Sequence, residues 1–170
     1  WCIMENGKWR AAVVTLSDKG YRGERVDKSG PAVCEMLREA GYDVQKNILL
    51  PDERSEIEKC LCKLCDDEKM NIIFTTGGTG FSLRDCAPEA TMAVATRNAP
   101  GIAEAMRLAS LKITPRAMLS RGASVIRNRT LIINLPGSPK AARENLEAVL
   151  PSLGHGLEIL NGSGGECGRS

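Results

Sequence analysis

Apolar and polar residues follow two alternating patterns along this chain, short apolar runs and longer segments with helical spacing. β-strands are predicted for four runs: 11–16 (AAVVTL), 43–50 (DVQKNILL), 71–76 (NIIFTT) and 131–135 (LIINL). Helices are predicted for the segments 30–40, 53–65, 88–96, 100–112 and 139–160, the last with a break near Pro151. Strands that alternate with helices are typical of a mostly parallel α/β sheet whose two faces are both covered.

The ends of the first long helix are predicted from its flanking residues. Ser29 precedes the apolar pattern and is expected to be the N-cap, with Pro31 in the first turn. Gly41 follows the last residue of the pattern, where a glycine commonly ends a helix. Both signals place this helix directly before the second strand.

Composition indicates one globular domain with an aliphatic core. The 170 residues are 42% hydrophobic and 26% charged, and only 4% are aromatic. We expect a single domain at 10–160 and a flexible Gly/Ser-rich tail at 161–170 (NGSGGECGRS). Because the chain begins with Trp1 rather than Met, we expect either a trimmed chain or one part of a longer protein.

Charge and cysteine usage favour a cytoplasmic protein with small-molecule partners. The net charge is only +2, and no run of five like charges occurs, so neither a nucleic acid nor a membrane surface is an expected partner. No apolar run approaches the roughly 20 residues of a membrane helix, and the first residues lack a signal-peptide core. Seven scattered cysteines suit a reducing compartment. Cys60, Cys62 and Cys65 cannot converge on a metal from one helix, so they are interpreted as core residues.

Polar segments follow all four predicted strands, which indicates a ligand site. In parallel sheets, ligands bind at the carboxyl ends of the strands, so these segments are expected to share one rim. The segments are SDKG (17–20), PDE (51–53), TTGGTG (75–80) and NLPGSPK (134–140). They would bring together the hydroxyls of Ser17, Thr79 and Ser138, the amine of Lys140, and the carboxylates of Asp18, Asp52 and Asp85.

Such a set of groups suits a phosphorylated ligand with a divalent cation. Backbone amides in a glycine turn can bind phosphate, and carboxylates can hold the accompanying Mg²⁺. Gly78 is therefore expected to leave space for phosphate oxygens. Simpler interpretations remain open, because a Gly-Gly pair can be only a tight turn and Asp52 can cap the following helix.

Several familiar site types are not supported by these residues. The glycine run matches neither the P-loop pattern nor the G-x-G-x-x-G dinucleotide pattern. The single histidine, His155, lies in a late helical segment, so an expected role is packing or surface exposure rather than nucleophile activation. Phosphoryl chemistry needs no protein nucleophile, since positioning and charge neutralisation carry most of it.

The motifs of this chain together resemble the molybdopterin adenylyltransferase family of molybdenum-cofactor biosynthesis proteins. The resemblance spans about 10–160 and rests on VVTLSD, DKSGP, LLPDE, TTGGTGFSLRDCAPEAT, PGIAEAMR, LSR and LIINLPGSPKAARENLEAVLP. It implies a three-layer α/β/α fold and a homotrimer. It also implies transfer of AMP from ATP, with Mg²⁺, to the terminal phosphate of molybdopterin with release of pyrophosphate. A molybdenum-insertion protein of the same pathway is an implied partner.

The resemblance assigns expected roles to particular residues. Asp52 and Asp85 match the family's essential carboxylates and would hold Mg²⁺. The phosphate loop and first polar turn match Gly77, Gly78, Thr79, Gly80, Ser17 and Asp18. The pterin and nucleotide ends of the cleft would include Ser110, Pro136, Gly137 and Ser138.

Two alternatives stay open beside the enzyme. One is a catalytically inactive trimeric paralogue that binds the pterin or a nucleotide without turnover. The other is a related domain of molybdenum-inserting or competence-damage proteins, whose glycine motifs differ from G-G-T-G-F-S. The chain also departs from the family at Ala87, where a threonine often precedes the proline. Retention of both Asp52 and Asp85 favours the enzyme, because clustered negative charge near phosphates is useful for holding a cation.

Overall fold

The computed structural model describes residues 9–162, which form a six-stranded sheet between two layers of helices. The strands are β1 (Arg10–Leu16), β2 (Asp43–Leu50), β3 (Ile72–Thr76), β4 (Arg97–Asn98), β5 (Ser124–Arg127) and β6 (Thr130–Leu135). The helices are α1 (Asp18–Tyr21), α2 (Ser29–Glu39), α3 (Arg54–Asp66), α4 (Ala87–Val94), α5 (Pro100–Leu111) and α6 (Pro139–Leu160), with a 3-10 helix at Pro115–Leu119. The predicted three-layer α/β/α architecture is confirmed.

Four neighbouring strands of the sheet are parallel, from the edge strand β2 to β6. The strand order is β2-β1-β3-β6-β5-β4, in which β2, β1, β3 and β6 are parallel neighbours. These are the four strands predicted from the apolar runs. In the register, Thr15 pairs with Thr76 and Thr76 pairs with Leu135, so three strands end side by side. Their exits therefore lie together, as the positions of the polar segments predict.

Alternate residues of each central strand enter two separate cores. On one face Val13, Phe74 and Ile133 pack with α2, α5 and α6. On the other face Val14, Ile73 and Ile132 pack with α3 and α4. Because side chains alternate between the faces of a strand, continuous apolar runs are needed where both faces are covered. The cysteine-rich helix α3 belongs to the second core, and Cys65 is buried there.

The hairpin edge of the sheet was not predicted. β4 and β5 have only two and four residues, and they pair antiparallel next to β6. The turn between β5 and β6 contains Asn128 with φ of 53°, a conformation that Asn tolerates better than most residues. Formation of this edge also shortens α4, since Thr96 N–H donates to Ile126 O instead of continuing the helix.

Two expectations about helix ends and breaks are wrong. α6 continues through Pro151 to Leu160, because residues 147 and 151 are both exposed and the carbonyl that proline leaves unbonded can reach water. Ser29 is not the cap of α2, since the Asp27 carboxylate accepts from the amides of Ser29 and Gly30 at 3.1 and 3.0 Å. Gly41, with φ of +91°, does follow the end of α2 as predicted.

The division into a domain at 10–160 and a tail at 161–170 stays a prediction. α6 ends at Leu160, and positions 163–170 of the predicted tail lie outside the described residues. Within 9–162 every helix is too short or too polar to cross a membrane.

Candidate active site

A cavity of about 990 Å³ lies where the exits of β1, β2, β3 and β6 meet. Its wall includes Ser17 and Asp18 after β1, Asp52 after β2, and Gly77 and Gly78 after β3. Asp85, Gly137 and Ser138 complete the predicted residues that line it. A volume of this order is typical of sites for cofactors and nucleotides. Eight of the predicted site residues are therefore brought to one cavity.

Asp18 and Asp52 bind each other's backbone. The Asp18 amide donates to Asp52 Oδ2 at 3.0 Å, and the Asp52 amide donates to Asp18 Oδ1 at 3.0 Å. This reciprocal pair fixes the exits of β1 and β2 relative to each other. Asp52 does not cap the following helix, because the N-cap residue of α3 is Glu53 and no side chain caps that helix.

The two carboxylates of this pair have opposite pKa shifts. A hydrogen bond from Arg84 lowers the pKa of Asp18, and the Arg84 guanidinium contacts both of its oxygens at 3.0 and 3.1 Å. Burial raises the pKa of Asp52, and the nearby charges of Asp18 and Asp85 raise it further. Asp52 is thus a carboxylate whose charge is disfavoured by its surroundings, and a bound cation would relieve that cost.

The glycine turn after β3 has a left-handed backbone conformation that favours glycine. Gly77 and Gly78 have φ of +99° and +68°. A Cβ at Gly77 would lie 2.4 Å from Leu16 O, and one at Gly78 would lie 3.2 Å from Asp52 Oδ1. The missing side chain of Gly78 clears space for Asp52 and Ala87, and the expectation that it also leaves space for phosphate oxygens stays a prediction.

The amides of this turn are not all open to an anion. Gly77 N–H donates to Leu135 O at 3.2 Å, which anchors the turn to β6. The amides of Gly78, Thr79 and Gly80 form no hydrogen bond with the described part of the chain. A phosphate-binding role is therefore restricted to these three amides.

Asp85 is held by a short turn of its own loop. Its Oδ2 accepts from the Ser82 amide at 3.0 Å, and the Asp85 amide donates to Ser82 O at 3.0 Å. A Cβ at Gly80 would lie 3.0 Å from Asp85 Oδ2, so Gly80 allows the carboxylate to approach the glycine turn. This geometry brings Asp85 to the same cavity wall as Asp52, although 33 positions separate them in sequence.

The exit of β6 contributes a second glycine and a helix cap. A Cβ at Gly137 would lie 3.3 Å from Gly77 Cα, so the two glycine turns pack against each other. Ser138 is the N-cap of α6, and its hydroxyl accepts from Ala141 N–H at 3.1 Å. Ser138 therefore has a structural role in addition to its place in the cavity wall.

Five predicted residues do not line the cavity. Thr79 is buried, and the carbonyl of Pro136 accepts from Thr76 Oγ1 at 2.7 Å. Ser110 lies on α5, where its hydroxyl accepts from Asn145 Nδ2 at 2.6 Å. Gly80 and the exposed Lys140 also lie outside the wall. Their binding roles remain predictions.

The sequence reasoning missed a polar network in the wall of the cavity, formed by Thr15, Asp27, Ser29 and Thr76. Thr76 Oγ1 donates to Pro136 O, so in the 2.7 Å contact between Ser29 and Thr76 the Ser29 hydroxyl must be the donor. Thr15 Oγ1 donates to Asp27 Oδ2 at 2.7 Å, which ties β1 to the loop before α2. The available signal was a threonine within the last two positions of each of two predicted strands, Thr15 in 11–16 and Thr76 in 71–76.

It also missed the basic residues of the cavity wall. These are Lys19, Arg22, Arg25, Lys28 and Arg84. Four of them lie in the segment between β1 and α2, where the sequence DKGYRGERVDKS has a local excess of cations over carboxylates. Together they surround the carboxylates with positive charge, as expected for a site that admits an anion.

The carboxylates fit Mg²⁺ that is bound jointly with a ligand. No group of three His, Cys, Asp or Glu side chains within residues 9–162 forms a metal site by itself. Mg²⁺ commonly binds through one or two carboxylates plus substrate phosphates, so Asp52 and Asp85 would suffice. No hydrogen bond from residues 9–162 reaches Asp52 Oδ1, which leaves that oxygen for a cation.

Comparison with known proteins assigns the chain to a family. A family model described as "Probable molybdopterin binding domain" matches residues 12–155. The chain belongs to this molybdopterin-binding domain family. The matched range includes every strand exit of the cavity and most of both cores, so the family match and the site concern the same structure.

Members of this family resemble the chain over most of its length. A protein of Helicobacter pylori named molybdopterin adenylyltransferase is 44% identical over 153 residues, which cover 89% of this chain and 87% of that protein. An Escherichia coli protein of the same name is 44% identical over 149 residues, which cover 86% of this chain and 76% of that protein. The molybdopterin biosynthesis enzyme MoaB from Thermus thermophilus has a crystal structure that superimposes on this chain with a TM-score of 0.86 and 50% sequence identity. The match covers 91% of this chain and 97% of that one.

Proposed function

We propose that this member of the family is a molybdopterin adenylyltransferase. It would transfer AMP from ATP to the terminal phosphate of molybdopterin and release pyrophosphate. The observation that carries this proposal is the meeting of Asp52 and Asp85 in one cavity of about 990 Å³ at the carboxyl ends of the strands. The names of relatives at 44% identity support the choice of reaction.

The cavity has the charges that two anionic substrates require. ATP and the phosphate of molybdopterin repel each other, so both must be attracted before they can react. Arg84 and the cations between β1 and α2 supply that attraction at the wall. Arg84 also contacts Asp18 and Glu53, which fixes its guanidinium beside the exits of β1 and β2. The chemistry then depends mainly on positioning and charge neutralisation.

Asp52 and Asp85 would hold Mg²⁺ together with the phosphates of ATP. When bound, this ion would neutralise charge on the phosphates during transfer. The raised pKa of Asp52 supports a cation at this position, since burial and two neighbouring carboxylates oppose its negative charge otherwise. The free amide of Gly78 would bind phosphate oxygens at the wall, and Ser17, Asp18, Gly137 and Ser138 would border the remaining volume. A phosphate contact by the amides of Thr79 and Gly80, which lie outside the wall, stays a prediction.

The inactive paralogue remains the second candidate. Such a protein would bind pterin or nucleotide through the basic wall and the glycine turn alone. The carboxylates argue against it, because two acidic groups that face anionic ligands weaken binding unless a cation accompanies the ligand. An adenylyltransferase needs such carboxylates to hold the cation that accompanies ATP.

Measurement of pyrophosphate release tests the proposal. The purified protein, ATP, Mg²⁺ and molybdopterin are expected to release pyrophosphate and form adenylylated molybdopterin in equal amounts. Omission of molybdopterin should reduce the signal to background, which excludes simple ATP hydrolysis. Binding of ATP without pyrophosphate release would support the paralogue instead.

A homotrimer is proposed on the basis of the family resemblance and one exposed apolar surface. α5 and the 3-10 helix together expose a group of large apolar side chains, which we call the α5 patch: Leu108, Leu111, Ile113, Met118 and Leu119. Only Ala103 and Met106 of α5 are buried in the core. Large exposed apolar surfaces of this kind often lie at subunit interfaces.

Charge introduced into the α5 patch is expected to dissociate the assembly. Leu108→Glu combined with Leu111→Glu would bury two unpaired carboxylates at the interface, so the variant should sediment as a monomer at micromolar concentration. Met92→Glu is the control, because Met92 is also exposed but lies on the opposite face of the sheet. A parent that sediments as a monomer would remove the trimer from the proposal.

A cytoplasmic location and a partner protein are also proposed. The five cysteines within the described residues are free thiols, which suits a reducing cytoplasm. Burial raises the pKa of Cys65 to about 11, so this thiol stays neutral and unreactive. A molybdenum-insertion protein of the same pathway would consume the adenylylated product.

A further inference from the structure

The loop that carries Asp85 has little structure of its own. Residues 77–86 form neither helix nor strand. Its two ends meet where Ala87 N–H donates to Gly78 O at 3.1 Å, and its tip is closed by the Ser82 and Asp85 pair. We call this segment the Asp85 loop. Since it protrudes from the sheet, its position depends on contacts from elsewhere in the chain.

Arg121 supplies an unusual share of those contacts. Its amide donates to Thr79 O at 2.8 Å, its Nε donates to Gly80 O at 2.8 Å, and its Nη2 donates to Asp85 O at 3.1 Å. The remaining Nη1 pairs with Glu89 at the start of α4. One residue therefore bonds both limbs of the Asp85 loop and the helix that follows it.

Arg121 does not line the cavity, so it acts from behind the loop. Its own segment is attached to the fold on two sides. Arg107 of α5 donates from Nη1 to Gly122 O at 2.8 Å. The side-chain Oδ1 of Asn134 in β6 accepts from Ala123 N–H at 3.0 Å, and the backbone N–H of Asn134 donates to Ala123 O at 2.9 Å. Arg121 thus connects the Asp85 loop to a rigid strand and helix.

We propose that Arg121 is a positioning residue that holds the Asp85 carboxylate at the cavity. Fixing the carbonyls of Gly80 and Asp85 fixes the backbone on both sides of the Ser82 turn, and this turn orients Asp85 Oδ2. The planar guanidinium reaches three acceptors in different directions, and the ammonium of lysine cannot reproduce that geometry. The catalytic consequence rests on the proposed function, whereas the effect on the loop does not.

The test compares two arginines with similar contacts in different places. Arg127 pairs with Asp66 through two nitrogens and donates to Val94 O at 2.9 Å, but it contacts no residue of the Asp85 loop. Arg121→Ala removes an ion pair and two bonds to backbone carbonyls, and Arg127→Ala removes an ion pair made through two nitrogens and one bond to a backbone carbonyl. Any difference between them therefore reports on the loop rather than on general stability.

Amide hydrogen exchange of the full-length protein is the first measurement. Arg121→Ala is expected to accelerate exchange at the amides of Ser82, Asp85 and Ala87 at least about tenfold, while Arg127→Ala leaves them at the parental rate. In the turnover assay, Arg121→Ala should lower kcat about tenfold and change KM for ATP less, because Asp18, Asp52 and the β6 exit still border the cavity. Arg127→Ala should retain parental kcat.

The outcomes separate this proposal from the proposed function. Parental exchange in the loop of Arg121→Ala, or equal effects of the two alanine variants on loop exchange, would overturn the positioning role. If the loop of Arg121→Ala exchanges faster and the parent protein shows no turnover, the positioning role of Arg121 stands and only the proposed enzyme activity is removed. If Arg121→Ala does not fold, Arg121→Lys makes the same comparison against Arg127→Lys, with a smaller expected acceleration.

Discussion

Asp52→Asn and Asp85→Asn are each expected to lower turnover by roughly a hundredfold or more, about 3 kcal/mol of transition-state stabilisation. Both carboxylates lie in the wall of the same cavity, and Asp52 Oδ1 receives no hydrogen bond from residues 9–162. Asparagine keeps the shape of each side chain but removes the charge that would hold Mg²⁺. The loss should appear mainly in kcat.

The fold is expected to survive both substitutions. In Asp52→Asn the side-chain oxygen of the asparagine can still accept from the Asp18 amide, as Asp52 Oδ2 does at 3.0 Å. Asp66→Asn serves as the control, because Asp66 pairs with Arg127 outside the cavity. That variant should lose some stability and keep its turnover. Near-parental turnover of both Asp52→Asn and Asp85→Asn at saturating Mg²⁺ would contradict the proposed mechanism and leave the fold unaffected.

The difference in stability between Asp52→Asn and the parent protein should depend on pH. Burial, followed by the charges of Asp18 and Asp85, raises the pKa of Asp52 in the folded protein. The folded state therefore holds its proton more tightly than the unfolded state, and stability is lost as pH rises from the ordinary carboxyl pKa through the raised value. Above that window the neutral asparagine avoids the loss, so the variant should unfold at a higher temperature than the parent at neutral pH. The difference should shrink as the solution is acidified.

Gly77→Ala is expected to destabilise the protein by about 3 kcal/mol or more. Gly77 has φ of +99°, and a Cβ would lie 2.4 Å from the backbone oxygen of Leu16. Because that oxygen belongs to the central strand β1, it cannot move aside without disturbing the sheet. Denaturant unfolding monitored by circular dichroism measures the loss.

Gly41→Ala separates the two causes of this effect. Gly41 has a similar φ of +91°, but no atom lies within 4 Å of its ideal Cβ. It should therefore show only the conformational cost of about 1–2 kcal/mol. Equal losses for the two variants would mean that the contact with Leu16 O is relieved by a local shift and that the turn is less constrained than its geometry indicates.

Much of the fold could be predicted because its determinants are local. The strands 11–16, 71–76 and 131–135 were visible as apolar runs, since a strand covered on both faces needs apolar residues at consecutive positions. The edge strand 43–50 was predicted as well, although its middle residues are exposed. β4 and β5 were not visible, because two and four residues carry too little periodicity. Pro151 gave a false signal, since a proline in an exposed turn of a long helix costs less than one whose unbonded carbonyl is buried.

The sequence by itself determined where the site lies, and the tertiary structure decided how its residues interact. Polar and glycine-rich segments after parallel strands must share one edge, so Asp52, Asp85 and the glycine turn could be placed together from the sequence. The bonds between Asp18 and Asp52, and those from Arg121 to the Asp85 loop, join residues 34 to 42 positions apart. Such partners are fixed by strand order and packing, which local patterns do not encode. The opposite pKa shifts of Asp18 and Asp52 follow from the same cause, because burial and the approach of Arg84 exist only after the chain has folded.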